Sequence, residues 1–339
     1  MNGPVSGAVL VGLGEVLWDV YPDGRRLGGA PANAAVHGHR LGLIGVVASA
    51  VGADEPGDAI VRDLSGQGID TMCIQRQSGR TTGAVLVRLD ERGVPSFTCS
   101  EDAAFDHMEW TPELEKLAPT ADAVVVGTLA QRHPDSRKTI QTFLSACGRA
   151  LRVYDVNFRG CDDETFGIVR KTLGNADAVK MNEAELDQMR RAFGRDGDDE
   201  FQFLEWLIRQ FRLKLAALSL GGDGCRCTDG KSRVAVPGIP VQVADTTGCG
   251  DAFVAGLITR TLQGAGVEEA ADFANALGAF IATKKGAAPR YSVQELEGFI
   301  RHSKGASKPD RFRPDPEPDQ RDGRNRAPGR RGMPGKRTP

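Results

Sequence analysis

Short apolar, β-branched runs alternate with segments of helical period along most of the chain. The runs at residues 8–16, 123–127, 152–156, 178–181 and 215–220 read as buried strands, and helical patterns such as 135–150 and 183–193 lie between them. Strands separated by helices imply right-handed crossovers and an α/β fold whose central sheet is mainly parallel, with helices on both faces.

The stretch "TTGAVLVRLDERGVPSFTCSEDAAFD" breaks that rhythm. Its runs at 84–89 and 95–99 are short strands joined by "DERG", a hairpin signal with Gly at the turn. Such a hairpin does not fit inside a parallel sheet. The pattern predicts a small antiparallel β-sheet lid over the sheet edge, built from about 17–28 and 82–100. From about residue 304 the chain is rich in Pro, Gly, Arg and Asp with almost no apolar residues. Residues 1–303 are therefore expected to form one domain, and 304–339 a disordered Pro/Arg-rich tail.

Composition narrows the class. The 339 residues are 40% hydrophobic with a formal net charge of -2, enough apolar material for a sizeable core. No segment approaches the roughly 18 to 20 apolar residues of a membrane helix, and no basic region followed by an apolar one opens the chain, so a cytoplasmic protein without membrane partners is expected. The tail's basic excess suggests nucleic acid as one reading; a solvated tail is favoured. The 7 cysteines lack zinc-site spacing and are expected to be reduced. Cys225 and Cys227 would share one strand face as structural residues, and His37 and His39 lack nearby carboxylate or thiol partners for a metal.

Five stretches carry chemistry. In "VADTTGCGDAF", 243–253, Gly248 and Gly250 allow a tight turn into a helix whose apolar stripe is Phe253, Val254, Leu257, Ile258 and Leu262. The free N–H groups and dipole of such a helix start attract an anion, whereas Asp251 would repel it. A base placed to deprotonate a hydroxyl that attacks a phosphate accounts for both features. "GGAPANAA", 28–35, opens a helix-like run and reads either as tight helix packing or as close approach to a ligand. Asn33 tips the balance, since an amide among alanines needs partners that a polyhydroxylated ligand supplies. Asp19, just beyond the first strand, can accept two sugar hydroxyls. "YDVNFRG" places Asp155, Asn157 and Arg159 on one strand face, although Arg159 and Asp155 could simply pair. "KMNEAEL" ends a strand with Asn182 and opens a helix with Glu183 and Glu185, which suits either helix capping or the waters of Mg²⁺. "LSLGGDG" offers Ser219, Gly221 and Gly224 in a loop able to admit nucleotide phosphates.

Taken in chain order, from "GGAPANAA" to "DTTGCGDAF" followed by "NALGAFIATKKGAA", the motifs resemble the ribokinase-like (PfkB) sugar kinases over residues 8–302, and among these the bacterial fructokinases most. The resemblance implies ATP with Mg²⁺ and phosphoryl transfer to a primary hydroxyl. It makes Asp251 the catalytic base and the amides of Gly248, Cys249 and Gly250 an anion hole. Asp19, Gly29 and Asn33 would hold the sugar, joined by Asn157 and Arg159, and Phe105 would pack against it. Asn182 and Glu185 would organise Mg²⁺ and phosphates, while Ser219, Gly221, Gly224 and Asn275 would border the nucleotide. Asp245 and Thr247 resemble part of a monovalent cation (K⁺) site. Fructose is the first choice of sugar, with ribose, 2-keto-3-deoxygluconate and nucleosides as alternatives; the chain is expected as a monomer or a homodimer paired through the lid. The family usually has Ala where Cys249 stands, and a thiol at a helix start can have a lowered pKa.

Two other classes fit less well. A nicotinamide dehydrogenase would need the full G-x-G-x-x-G that "VGLGEVL" lacks. A silent sugar-binding regulator could use the same fold, but it would not require Asp251 beside its glycine turn.

Overall fold

The computed structural model describes residues 7–89, 95–158, 160 and 162–306. The "DERG" turn, Arg159, Cys161 and 307–339 lie outside the described residues, while 304–306 complete the last helix.

Nine strands make the main sheet. In chain order they are β1 (Val9–Leu13), β4 (Ile44–Gly52), β5 (Ile74–Gln77), β8 (Ala123–Val126), β9 (Leu151–Asp155), β10 (Ala178–Asn182), β11 (Leu215–Ser219), β12 (Gly224–Thr228) and β13 (Arg233–Pro237). Their spatial order is β13-β12-β11-β10-β9-β8-β1-β4-β5. Pairing is parallel from β5 to β11; β12 pairs antiparallel with both β11 and β13, so among these nine strands it alone runs against the others. The order reverses at β1, which has β4 on one side and β8 on the other. A doubly wound sheet opens a crevice at the carboxyl ends of its strands where the order reverses, and that is where ligands bind.

Alternation along the strands fills both faces. Val124 and Val126 of β8 enter one core and Val125 the opposite one; Tyr154 and Val153 of β9 divide the same way. The first core contains α4 (Pro134–Ala146) and α7 (Glu200–Phe211) through Phe143 and Phe203. The second is closed by α1 (Ala30–Arg40), α8 (Cys249–Leu262) and α9 (Val267–Ala282) through Ala34, Phe253, Leu257 and Ala274. Cys225 and Cys227 point into that second core, as their spacing predicts, and the six described cysteines are all free. No helix among the described residues is long and apolar enough to cross a membrane.

The expected lid is a separate four-stranded sheet, β3-β2-β6-β7, of β2 (Leu17–Tyr21), β3 (Gly24–Gly28), β6 (Ala84–Leu89) and β7 (Pro95–Cys99). Each hairpin is antiparallel, but β2 and β6 join in parallel. The parallel pairing has a simple cause: both strands leave the same carboxyl edge of the main sheet.

Candidate active site

The turn into α8 is built by its glycine. Gly248 caps the helix with φ 78° and ψ −3°, the left-handed region that favours glycine, and any Cβ there would collide with the carbonyl oxygen of Ala287. No side chain caps α8, so its N-terminal dipole faces a cleft of about 440 Å³. Gly248, Gly250 and Asp251 line that cleft. Cys249 does not: its N–H donates to the Thr246 carbonyl at 3.3 Å and closes the turn. Of the three residues expected to form the anion hole, Gly248 and Gly250 line the cleft.

The sequence-predicted base and sugar residues meet here. Gly29 follows β3 and caps α1 at φ 107°, where a Cβ would strike the Glu15 carbonyl oxygen. That close approach sets Asn33 one turn into α1, 3% exposed, with Nδ2 donating to Asp251 Oδ2 at 2.8 Å. Asn33 Oδ1 is buried without a hydrogen-bond partner among the described residues. An unpartnered buried carbonyl costs about 1–3 kcal/mol, so this atom fits a hydroxyl donor supplied by a ligand. The stretch "GGAPANAA" packs tightly at Gly28 and Gly29, and its Gly29, Ala30 and Asn33 line the cleft.

The lid supplies the opposite wall. Leu17, Asp19 and Tyr21 fall on one face of β2 and line the cleft with Val85 and Cys99, whereas Trp18 turns away and donates Nε1 to the Pro56 carbonyl at 3.0 Å. Asn157, just after β9, lines it at φ 35°.

Two charged cleft residues escaped the sequence reading. Glu15 follows β1 and is 2% exposed. Lys180 sits inside β10, donating to both oxygens of Asp155 at 3.0 and 3.3 Å. Its Nζ lies 3.0 Å from where a Cβ on Gly250 would be. Burial pulls the Lys180 pKa down, but the charges of Asp155, Glu185 and Asp251 outweigh it and hold the ammonium above its ordinary value. Asp155 thus pairs with Lys180, and the signal was available: a lone lysine in the apolar run "AVKM" needs a buried carboxylate.

Asn182, Glu185, Ser219, Gly221, Gly224 and Asn275 lie outside this lining. Asn182 and Ser219 are register partners at the ends of β10 and β11. Asn182 Oδ1 accepts from Glu185 N at 2.9 Å and Glu185 Oε2 accepts from Asn182 N at 2.8 Å, a reciprocal cap of α6 (Glu183–Ala192). Ser219 Oγ donates to the Met181 carbonyl at 3.3 Å, and Gly221 opens a 3-10 turn at φ 54°. Gly224 is pressed against the Val236 carbonyl oxygen of β13, and Asn275 Nδ2 donates to the Pro237 carbonyl at 3.0 Å; both have structural employment at that edge. Asp245 accepts the N–H groups of Thr247 and Gly286 at 3.0 and 2.9 Å. Burial raises its pKa, yet those two bonds hold the carboxyl below the usual range and tie the turn to the next loop.

Two expectations are corrected. Phe105 does not touch the cleft: it is fully buried in the main core beneath Gly83, because a phenyl ring there gains about 1.5–3 kcal/mol from burial. Cys249 does not carry an acidified thiol. Burial, and then the charges of Asp251 and Asp245, push it up to about 12, overriding the helix dipole.

Comparison with known proteins gives one consistent result. The model of the pfkB family carbohydrate kinases matches residues 23–293. Fructokinase-1 of Oryza sativa subsp. japonica is 32% identical over 309 residues, covering 83% of this chain and 94% of that protein. The crystal structure of an uncharacterized sugar kinase from Pyrococcus horikoshii superposes with a TM-score of 0.73 at 28% identity, over 88% of this chain and 99% of that one. A fructokinase from Vibrio cholerae O395, in its fructose, ADP and calcium ion bound form, superposes with a TM-score of 0.74 at 26% identity, over 86% and 99%.

Proposed function

The chain belongs to the pfkB family of carbohydrate kinases, and from that membership we propose that it transfers the γ-phosphoryl group of ATP to a primary hydroxyl of a neutral sugar, fructose first. The observation that carries this reading is the Asn33–Asp251 pair at the head of α8: a carboxylate held by an amide, beside an uncapped helix N-terminus, inside a cleft walled by the lid. Asp251 takes the proton of the sugar hydroxyl. The amides of Gly248 and Gly250 and the α8 dipole stabilise charge on the transferring group, for which phosphoryl transfer asks little beyond placement and electrostatics. Lys180 adds a fixed positive charge next to Gly250.

Asp19 and Asn33 are the sugar's polar partners, with Asn157 beside them and Leu17, Tyr21 and Val85 on the lid side excluding water. Among the described lining residues, Glu15, Asp19, Asp155 and Asp251 are acidic and Lys180 is the one cation, a balance that favours neutral over carboxylated sugars. Fructose is favoured also by the rice and Vibrio relatives. Asn182 and Glu185 present hard oxygen donors of the kind hydrated Mg²⁺ accepts, and when bound that ion would offset charge on the ATP phosphates. Asp245, ionised and joined to Thr247, fits a K⁺ beside the turn.

The test is ADP formation with ATP and Mg²⁺ over a panel of fructose, ribose, 2-keto-3-deoxygluconate and a nucleoside, with and without K⁺. Fructose should give the highest kcat/KM. Preference for the carboxylated sugar would overturn the neutral-sugar assignment, and no turnover with any member would overturn the proposed substrate class.

A further inference from the structure

Outside the cleft, at the root of the lid, two histidines and a carboxylate converge. We propose that His107, His133 and Asp135 form a binding site for a divalent transition metal of the Zn²⁺ class. The ligand atoms of the three all lie within 4.8 Å of one another. His107 Nδ1 is 2.9 Å and His133 Nδ1 3.5 Å from the same oxygen, Asp135 Oδ2. Tetrahedral Zn²⁺ with bonds of about 2.0–2.1 Å sets its ligand atoms roughly 3.3–3.4 Å apart, so these separations bracket what the ion requires.

The surroundings also suit a metal. His107 Nε2 faces Asp102 Oδ1 at 2.5 Å, and Arg80 pairs with that same aspartate. Without the ion Nδ1 donates to Asp135 Oδ2; a metal would take the place of that proton, and Asp102 would then hold the remaining proton on Nε2, as an outer carboxylate does for a metal-bound imidazole. His107 is held from behind as well, since its carbonyl accepts Gln77 Nε2 at 2.8 Å. Its side chain is 11% exposed, while those of His133 and Asp135 are 39% and 59% exposed, which leaves an open side for water or a fourth ligand. His133 Nδ1 has one competing contact, a long one of 3.4 Å from the Asp135 N–H. Two imidazoles with one carboxylate select Zn²⁺, Co²⁺ or Ni²⁺ over Mg²⁺.

The location gives the site a consequence. Arg80 precedes β6 and Asp102 and His107 follow β7, so both legs of that lid hairpin reach the cluster; His133 and Asp135 belong to the start of α4 in the main domain. A bound ion would join lid leg to domain.

The experiment uses the full chain, stripped by a chelator and titrated with Zn²⁺ by calorimetry and with Co²⁺ by visible absorption, in excess Mg²⁺. One equivalent should bind, with a Co²⁺ spectrum free of thiolate charge-transfer bands. His107→Gln keeps a donor to Asp102, and His133→Asn keeps a cap for α4; each should weaken binding about tenfold or more. Near-ultraviolet circular dichroism checks that the variants fold. No saturable Zn²⁺ binding, a thiolate band, or unchanged affinity in the folded double variant would overturn the site. The titration needs neither sugar nor ATP, so its outcome is independent of the kinase assignment.

Discussion

Asn33 of α1 donates its amide to Asp251 of α8 at 2.8 Å, joining the residue expected to hold the sugar to the residue expected to take its proton. The two functions are therefore coupled. Asn33→Ala removes a sugar partner and also frees the Asp251 carboxylate to rotate, so sugar KM should rise and kcat should fall together, with about 1–3 kcal/mol lost from kcat/KM. Steady-state kinetics at saturating ATP separates the two parameters; a pure KM effect would show that the bond does not orient the base.

Asp251→Ala should fold and should still bind ATP, level with the natural chain or slightly tighter, because a negative charge beside the anion site is gone. Turnover should fall by about 10²–10⁴. Sugar-dependent ADP formation and an ATP titration on the same sample check this. Near-normal turnover would sink the base assignment, and parallel loss of ATP binding would point to a structural role for the turn.

Lys180→Met leaves Asp155 as a buried, uncompensated charge, which destabilises a protein by about 3–5 kcal/mol. Lys180→Met with Asp155→Leu should recover much of that stability in urea melts while activity stays low, since the positive charge beside Gly250 is still missing. Recovery of activity along with stability would make the lysine purely structural.

Cys249→Ala should leave turnover essentially unchanged, because the side chain is outside the cleft lining. With its thiol pushed up to about 12, Cys249 should react slowly with iodoacetamide near neutral pH. Mass spectrometry of alkylated peptides reads the rate; rapid, inactivating modification would contradict the burial that sets it.

His37 gives the acid side of the stability profile. Its ring stacks on Tyr291 and its Nε2 meets the Ala287 carbonyl at 3.0 Å, the carbonyl that lies under Gly248. Burial pushes its pKa from 6.5 down to about 4, with Arg40 adding to the shift. The unfolded chain therefore takes the proton first as pH falls. The contribution is full above 6.5 and is lost on the way down to about 4. At most it is on the order of 3 kcal/mol. His37→Gln should flatten that part of a denaturant-midpoint profile against pH; an unchanged slope would assign the acid sensitivity elsewhere.

How much of this could be read from the chain alone depends on the range of the interactions involved. Strand and helix periods are local, so the strands within 8–16, 123–127, 152–156, 178–181 and 215–220 and the lid hairpin 84–89 with 95–99 follow from the order of residues, whereas β4, β5 and β13 were not read from it. The αL turn at Gly248 is local too, and with Asp251 three residues on, the sequence presents the turn and the carboxylate on which the proposed anion site and base rest. Tertiary packing decided the rest. Phe105 and Asn157 both follow strands and both looked available to a sugar, yet the first is sealed under Gly83 and the second faces the cleft. The Lys180–Asp155 pair spans two strands, so its partners are fixed by parallel register rather than by spacing along the chain. The helix dipole at Cys249 is visible in sequence, but the burial and the two carboxylates that reverse its effect on the thiol are brought there by the fold. Sequence determines which groups a segment can present; their solvation and their charged neighbours, which set pKa and reactivity, come from residues distant in the chain and exist only once it has packed.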